Sequence, residues 1–260
     1  MATTAQGAQS TPKGTPKALK RVIFSMGGKG GVGKSTVMAG IVEYLQSLDV
    51  STELLDLDWE NKREGSLTSW FPDATKIDIR KANAYDILID RAFRTKTDVV
   101  LADLGASQGY RLFEWFDTVY ASALRLQLPL RFTAVGIVTS DPASQSSILE
   151  WAEHMQDRVD YLIVKNKHRL DDMIAWNSSP TSSTGQFEQT FSPVQIEVNP
   201  RDSEIEQKLR VGGRTLTSVV NAGMNSEDSC LGDPATYIRV FGYRDQLFNQ
   251  LTQAHRVLLP

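Results

Sequence analysis

The sequence holds a single cysteine, Cys230. One thiol excludes a disulfide within the chain and a cysteine-based metal cluster within one subunit, and with it the Cys pair that a metal-cluster carrier needs. Histidine is scarce too: His154, His168 and His255 are scattered without ligand spacing, so neither a histidine metal centre nor a Ser-His-Asp set is indicated. No run of about 18 apolar residues occurs, which predicts no transmembrane helix. The N-terminal stretch lacks the apolar segment of a signal peptide, so the cytoplasm is the expected compartment. Neither sign of charge dominates, since 28 Lys and Arg against 31 Asp and Glu leave a formal net charge of −3. Bulk electrostatics therefore gives no drive toward nucleic acid or an anionic membrane, and only a local basic patch would supply one. No internal repeat is visible.

What is present is ordinary globular material. Hydrophobic residues make up 41% and charged residues 23% of 260 residues, a length that suits one α/β domain. Residues 1–19 are rich in Thr, Ser, Pro, Gly and Ala and have too little apolar content to pack. They are predicted to be a disordered tail whose end, with Lys13, Lys17, Lys20 and Arg21, is mildly basic: a solvated tail or a polyanion-binding arm. Residues 20–260 form the domain.

Within it, strands are predicted at 21–26, 52–57, 98–103, 132–139, 160–164 and 194–198. Helices are predicted at 34–48, 84–93, 142–158, 201–222 (broken near Gly212-Gly213) and 234–258, with a long polar surface loop over 176–192. Strands alternating with helices predict a doubly wound, mostly parallel sheet covered by helices on both faces.

The strongest motif is Gly28-Lys29-Gly30-Gly31-Val32-Gly33-Lys34-Ser35, which fits G-x-x-x-x-G-K-[ST] between an apolar strand and a helix. Its glycines let backbone N–H groups turn toward phosphate oxygens, and the following helix N-terminus adds positive partial charge. Lys34 is placed to reach the β- and γ-phosphates of a nucleotide, and the Ser35 hydroxyl to bind Mg²⁺. Two apolar strands end in acids, Asp56-Leu57-Asp58 and Asp103, at the edge where α/β sheets bind ligands. Asp103 fits an aspartate that holds Mg²⁺ through water.

The run Lys29-Gly30-Gly31-Val32-Gly33-Lys34-Ser35-Thr36 resembles the deviant Walker A motif, K-G-G-x-x-K-[ST], of the MinD/ParA ATPases. The resemblance implies a P-loop NTPase that uses ATP and Mg²⁺, forms a homodimer when ATP is bound, and answers to an activating partner protein. It implies that Lys29 crosses the dimer interface to the partner subunit's nucleotide, in the manner of an arginine finger; a solvated loop lysine is the alternative. It further implies that Asp58 positions the attacking water and that Asp56 lies near the Mg²⁺ hydration shell, although Trp59 stands where the family often has Pro. After Asp103 comes Leu104-Gly105-Ala106-Ser107 in place of a Pro-containing segment, and Gly105 can offer its N–H to the γ-phosphate. This turn looks more like the TraL-type ATPases of conjugative plasmids.

Weaker sites follow from the same resemblance. Asn166 is a candidate adenine reader or a turn-forming Asn. Pro200 and Asp202 are candidates to close the base pocket, with Asp202 alternatively a helix cap. Lys208, Arg210, Arg214, Arg239 and Arg244 form either a surface for non-specific DNA or scattered solvated charges. The apolar stripe of the last helix reads as core packing or, without a lysine-rich face, less well as a membrane anchor. The expected function is an ATP-dependent dimerising switch that positions, partitions or transfers plasmid or chromosomal DNA or a protein assembly. The alternative is a small-molecule phosphoryl-transfer enzyme of the synthetase type. A bacterial tyrosine kinase would want a terminal tyrosine cluster, where only Tyr237 and Tyr243 lie.

Overall fold

A computed structural model of the chain describes residues 19–59, 65–106, 108–224 and 233–260. The predicted tail up to residue 18, Ser107 and Cys230 lie outside the described residues.

Among the described residues, seven strands form one sheet in the order β3-β2-β4-β1-β5-β6-β7. The strands are β1 (Lys20–Met26), β2 (Thr52–Asp56), β3 (Thr75–Lys76), β4 (Val99–Asp103), β5 (Leu130–Val138), β6 (Asp160–Asn166) and β7 (Val194–Val198). Every pairing is parallel, with Ile23 of β1 opposite Leu101 of β4 on one side and Thr133 of β5 on the other. Parallel neighbours need crossovers, and helices supply them, so both faces of the sheet are covered.

The alternation of side chains along β1 shows how one strand feeds two cores. Val22, Phe24 and Met26 point to one face, where α3 (Asp86–Arg94), α4 (Gly109–Trp115), α5 (Ala121–Arg125), α6 (Pro142–Met155) and α7 (Ser183–Phe191) pack. Ile23 points to the other, against α1 (Lys34–Ser47), α2 (Leu67–Trp70), α8 (Ser203–Val211), α9 (Leu216–Ala222), α10 (Pro234–Thr252) and α11 (His255–Leu258). Caps fix several helix starts. Asp141 accepts from the Ala143 N–H at 2.9 Å with Pro142 in the first turn of α6, and Asp233 accepts from the Thr236 N–H at 2.8 Å before Pro234 of α10. Glu43 of α1 reaches across to accept from the Leu216 and Thr217 N–H groups at 3.2 and 2.5 Å, capping α9 from another helix.

Besides the short α2 and β3, which the sequence did not predict, three features differ from the sequence expectation. The polar stretch 176–192 is not all loop: α7 forms there because Ser182 caps the Gly185 N–H at 3.0 Å and Phe187 buries against Tyr161 and Trp176. The last helix is two, broken at Gln253-Ala254. Its stripe is core packing, since Val240, Leu247, Leu251, Val257 and Leu258 are buried, with Phe241 exposed. Between β4 and β5, where no element was predicted, α4 runs through a wide turn at Phe116–Tyr120 into α5. No helix of the described residues is long and apolar enough to cross a membrane.

Candidate functional site

The C-terminal ends of β1, β2 and β4 meet at one edge of the sheet, and the glycine-rich loop leaves β1 there. Gly27, Gly31 and Gly33 take φ of 101°, 76° and 91°, in the left-handed region that favours glycine. Gly33 is the N-cap of α1. Lys34, 9% exposed, turns back into the loop, where its Nζ donates to the Lys29 carbonyl at 2.7 Å. Burial lowers its pKa, while the nearby carboxylates of Asp103 and Asp58 hold it up. Gly30, Gly31, Gly33, Lys34, Ser35, Thr36 and Asp58 line a cleft of about 410 Å³. Val32 faces the core instead, and its carbonyl accepts from Asn166 Nδ2 at 2.9 Å. Gly28 faces α6, its N–H donating to the Ser147 hydroxyl.

The three acids are placed differently. Asp103 is fully buried: its Oδ1 accepts from the Ser25 hydroxyl at 3.0 Å, and its Oδ2 has no hydrogen-bond partner. Burial raises its carboxyl to about 7, helped by the charges of Asp56 and Asp58 and opposed by the hydroxyls of Ser35 and Ser25. Asp58 lies against the turn after β4, where a Cβ on Gly105 would come within 2.8 Å of its Oδ1. The same Cβ would come within 2.7 Å of Gln108 Nε2, so a side chain at 105 would displace both of these side-chain ends. Asp56 stands opposite Asp103 in the register of β2 and β4 and is fully buried. Its Oδ1 accepts from Lys76 Nζ at 3.0 Å and the Asp58 N–H at 3.1 Å, and its Oδ2 from the Thr68 hydroxyl and N–H at 3.0 and 3.2 Å. These contacts tie the Asp58 backbone, Thr68 and Lys76 to the end of β2. Trp59 lies under the Arg80 guanidinium, 4.2 Å from its ring centroid.

Lys29 points away from the cleft, its Nζ 2.8 Å from Asp141 Oδ2 at the cap of α6. Asn166 borders a second cleft of about 300 Å³ with Asn199, Arg201 and Tyr243. Pro200 and Asp202 flank Arg201, which lines that cleft. They border a separate cavity of about 200 Å³, and Asp202 caps α8, accepting from the Glu204 N–H at 2.9 Å. Of the five basic residues considered for a DNA surface, Lys208 meets Glu204 at 2.8 Å, Arg210 meets Glu206 at 3.0 Å and Arg239 lies 3.9 Å from Asp202, while Arg244 lies over the Phe248 ring.

A glycine loop between the central strand and a helix, with a buried aspartate at the end of the adjacent strand, decides the architecture. The chain has a doubly wound P-loop fold. No protein-family model matches it, and no curated protein does. Among solved structures it is similar to the MinC:MinD cell division protein complex of Aquifex aeolicus, at 14% identity over 85% of this chain and 96% of that one, TM-score 0.49. The MinD cell division protein of Aquifex aeolicus gives 16% identity, 85% and 97% coverage and a TM-score of 0.46. Chloroplast FtsY from Physcomitrella patens gives 17%, 74%, 64% and 0.46. At these values the likeness assigns no residue a role.

Sequence reasoning missed several residues of this P-loop site. Ser25, the one polar residue in an otherwise apolar stretch of β1, orients Asp103; that interruption was its signal. Gln108, 4% exposed, donates to the Leu57 carbonyl at 2.6 Å and accepts from Tyr85 at 3.2 Å, tying β2 to α4. Asp141 and Ser147, which engage the loop from α6, and Glu206 beside Thr36 carry no motif that could have marked them.

Proposed function

We propose that the chain is a MgATP-dependent ATPase switch of the MinD/ParA type, monomeric without ATP and dimeric with it. The observation that carries this reading is the division of labour between the two loop lysines. Lys34 already lies inside the cleft, so the loop needs no second cation of its own. Lys29 stands outside on an exposed carboxylate, side chains 40% and 45% exposed. Such a pair contributes only about 0–1 kcal/mol, so Lys29 is readily released to the phosphates of a second subunit. Near Gly28, Tyr110 is 82% exposed over the buried Phe113 and Trp151, at a hollow that a second subunit would cover.

In this reading the loop N–H groups and Lys34 hold the triphosphate of ATP. Ser35 and Asp103 suit Mg²⁺: both offer hard oxygen donors, and the partnerless buried Oδ2 of Asp103 is a position for a cation or its water. When bound, Mg²⁺ supplies charge neutralisation across the phosphates. Asp58 orients the attacking water, and Gly105 offers its N–H to the γ-phosphate. Asn166, tied to the loop, borders the base. An activating partner protein ends the dimeric state. The acids beside Lys208, Arg210 and Arg239 favour a protein assembly over DNA as cargo, to be positioned or transferred.

Light scattering with and without ATP tests the switch. Wild type should double its mass with MgATP. Asp58→Ala should dimerise and remain dimeric, and Lys29→Ala should stay monomeric. If wild type and Asp58→Ala both stay monomeric with ATP, the dimer switch is excluded and a small-molecule phosphoryl-transfer enzyme takes its place.

A further inference from the structure

The two clefts at the sheet edge meet. Gly31, Gly33, Thr36 and Glu206 border both the lobe along the glycine loop and the lobe beside Asn166 and Tyr243. Glu206 is the only ionisable side chain of these four. Its Oε1 accepts from Arg210 Nη2 at 3.0 Å and from the Thr36 hydroxyl at 3.5 Å, and its side chain is 29% exposed. The helix that carries it is firmly seated, with Ile205 and Leu209 buried and Asp202 capping its start.

A carboxylate is the wrong chemistry for a phosphate, since like charges repel. It is the right chemistry for hydroxyl groups, which donate to it. In any nucleoside triphosphate the sugar joins phosphates to base, so a ligand filling both lobes sets its sugar at their seam. An ionised carboxylate has about four acceptor positions, and the contacts above use two.

We propose that Glu206 reads the sugar: it accepts a hydrogen bond from a ribose hydroxyl, with Arg210 holding its orientation, and so selects a nucleotide that carries that hydroxyl over the deoxy form that lacks it. The inference rests on the nucleotide reading above and adds to it the residue that distinguishes one sugar from another. Hydrogen bonds to charged acceptors of this kind correspond to roughly ten- to a hundred-fold in affinity.

The test is calorimetric titration of the full chain with ATP, 2′-deoxy-ATP and 3′-deoxy-ATP, each with Mg²⁺. Wild type should bind at least one deoxy form ten-fold or more weakly than ATP. Glu206→Ala should bind all three alike, at the affinity of the disfavoured form, and Glu206→Gln, which keeps one acceptor, should fall between. Melting curves confirm that each variant is folded. Equal affinity of wild type for all three overturns the proposal. So does a Glu206→Ala variant that weakens all three by one factor, because that is what a purely structural contact to Thr36 and Arg210 would do. Failure of wild type to bind any of the three removes the nucleotide reading itself.

Discussion

Lys34 and Asp58 face the same cleft and are separable by experiment. Lys34→Ala removes the buried cation that the acids of the cleft surround, and calorimetry should find ATP binding abolished. Asp58→Ala should bind ATP as wild type does while turnover, followed by phosphate release, falls roughly 100-fold or more. Glu43 gives a different kind of test. Its burial raises the carboxyl above its ordinary value of 4.5, against the pull of the Thr217 and Leu216 N–H groups and the charge of Arg201. A raised pKa means the folded chain holds this proton more tightly than the unfolded chain does. The contribution of Glu43 is therefore fully present below 4.5 and is lost as pH rises through the folded value. Glu43→Gln cannot titrate, so its stability relative to wild type should grow with pH across that window and level off above it, as measured by urea unfolding at a series of pH values.

Among the elements, α7 rests on few side chains. Phe187, 4% exposed, meets Tyr161 edge-on at 5.1 Å and Trp176 at 5.8 Å. Phe187→Ala should cost about 3–5 kcal/mol, read as a lower urea midpoint. The same sparseness explains why α7 was hard to see in the sequence. One capping serine and two phenylalanines are diluted in Asn, Ser, Thr and Gly, which favour turns when taken locally; only the tertiary contacts decide otherwise. The strands were legible for the opposite reason. Val99–Asp103 is apolar on both faces and then ends in an acid, a pattern that fits a buried parallel strand delivering a charge to the edge. The loop was legible because its residues act through backbone and spacing. The surroundings of Asp56 were not, because Thr68 and Lys76 come from a short helix and a two-residue strand that no periodicity announces. Pro200 was placed by resemblance alone; for Asp202 the sequence also offered a helix cap, which it forms at the start of α8.

At the scale of the whole molecule, the cleft lies between the two cores, roofed by α8 and floored by the ends of the central strands. A ligand bound there ties both halves to the folded state. MgATP at about a hundred times its dissociation constant adds about 2.7 kcal/mol, which for a chain of this size corresponds to roughly 5–10 °C in melting temperature. Calorimetric scans should show that rise in wild type and none in Lys34→Ala.

Arg21 opens a last consequence, in time rather than space. It sits at the start of β1, 4% exposed, and binds Asp160 at 2.7 Å, the Thr133 hydroxyl at 2.8 Å and the Leu259 carbonyl at 2.6 Å, a partner 238 residues away. Both sheet neighbours of β1 also come later, at Val99–Asp103 and Leu130–Val138. Synthesis proceeds at about 5–20 residues per second, so Arg21 waits roughly ten to fifty seconds for its final partner to be made. Through that interval the strand carrying the glycine loop is made but lacks the Leu259 contact of Arg21. A nascent chain stalled before residue 259 carries the whole phosphate motif but not the clasp that holds its strand.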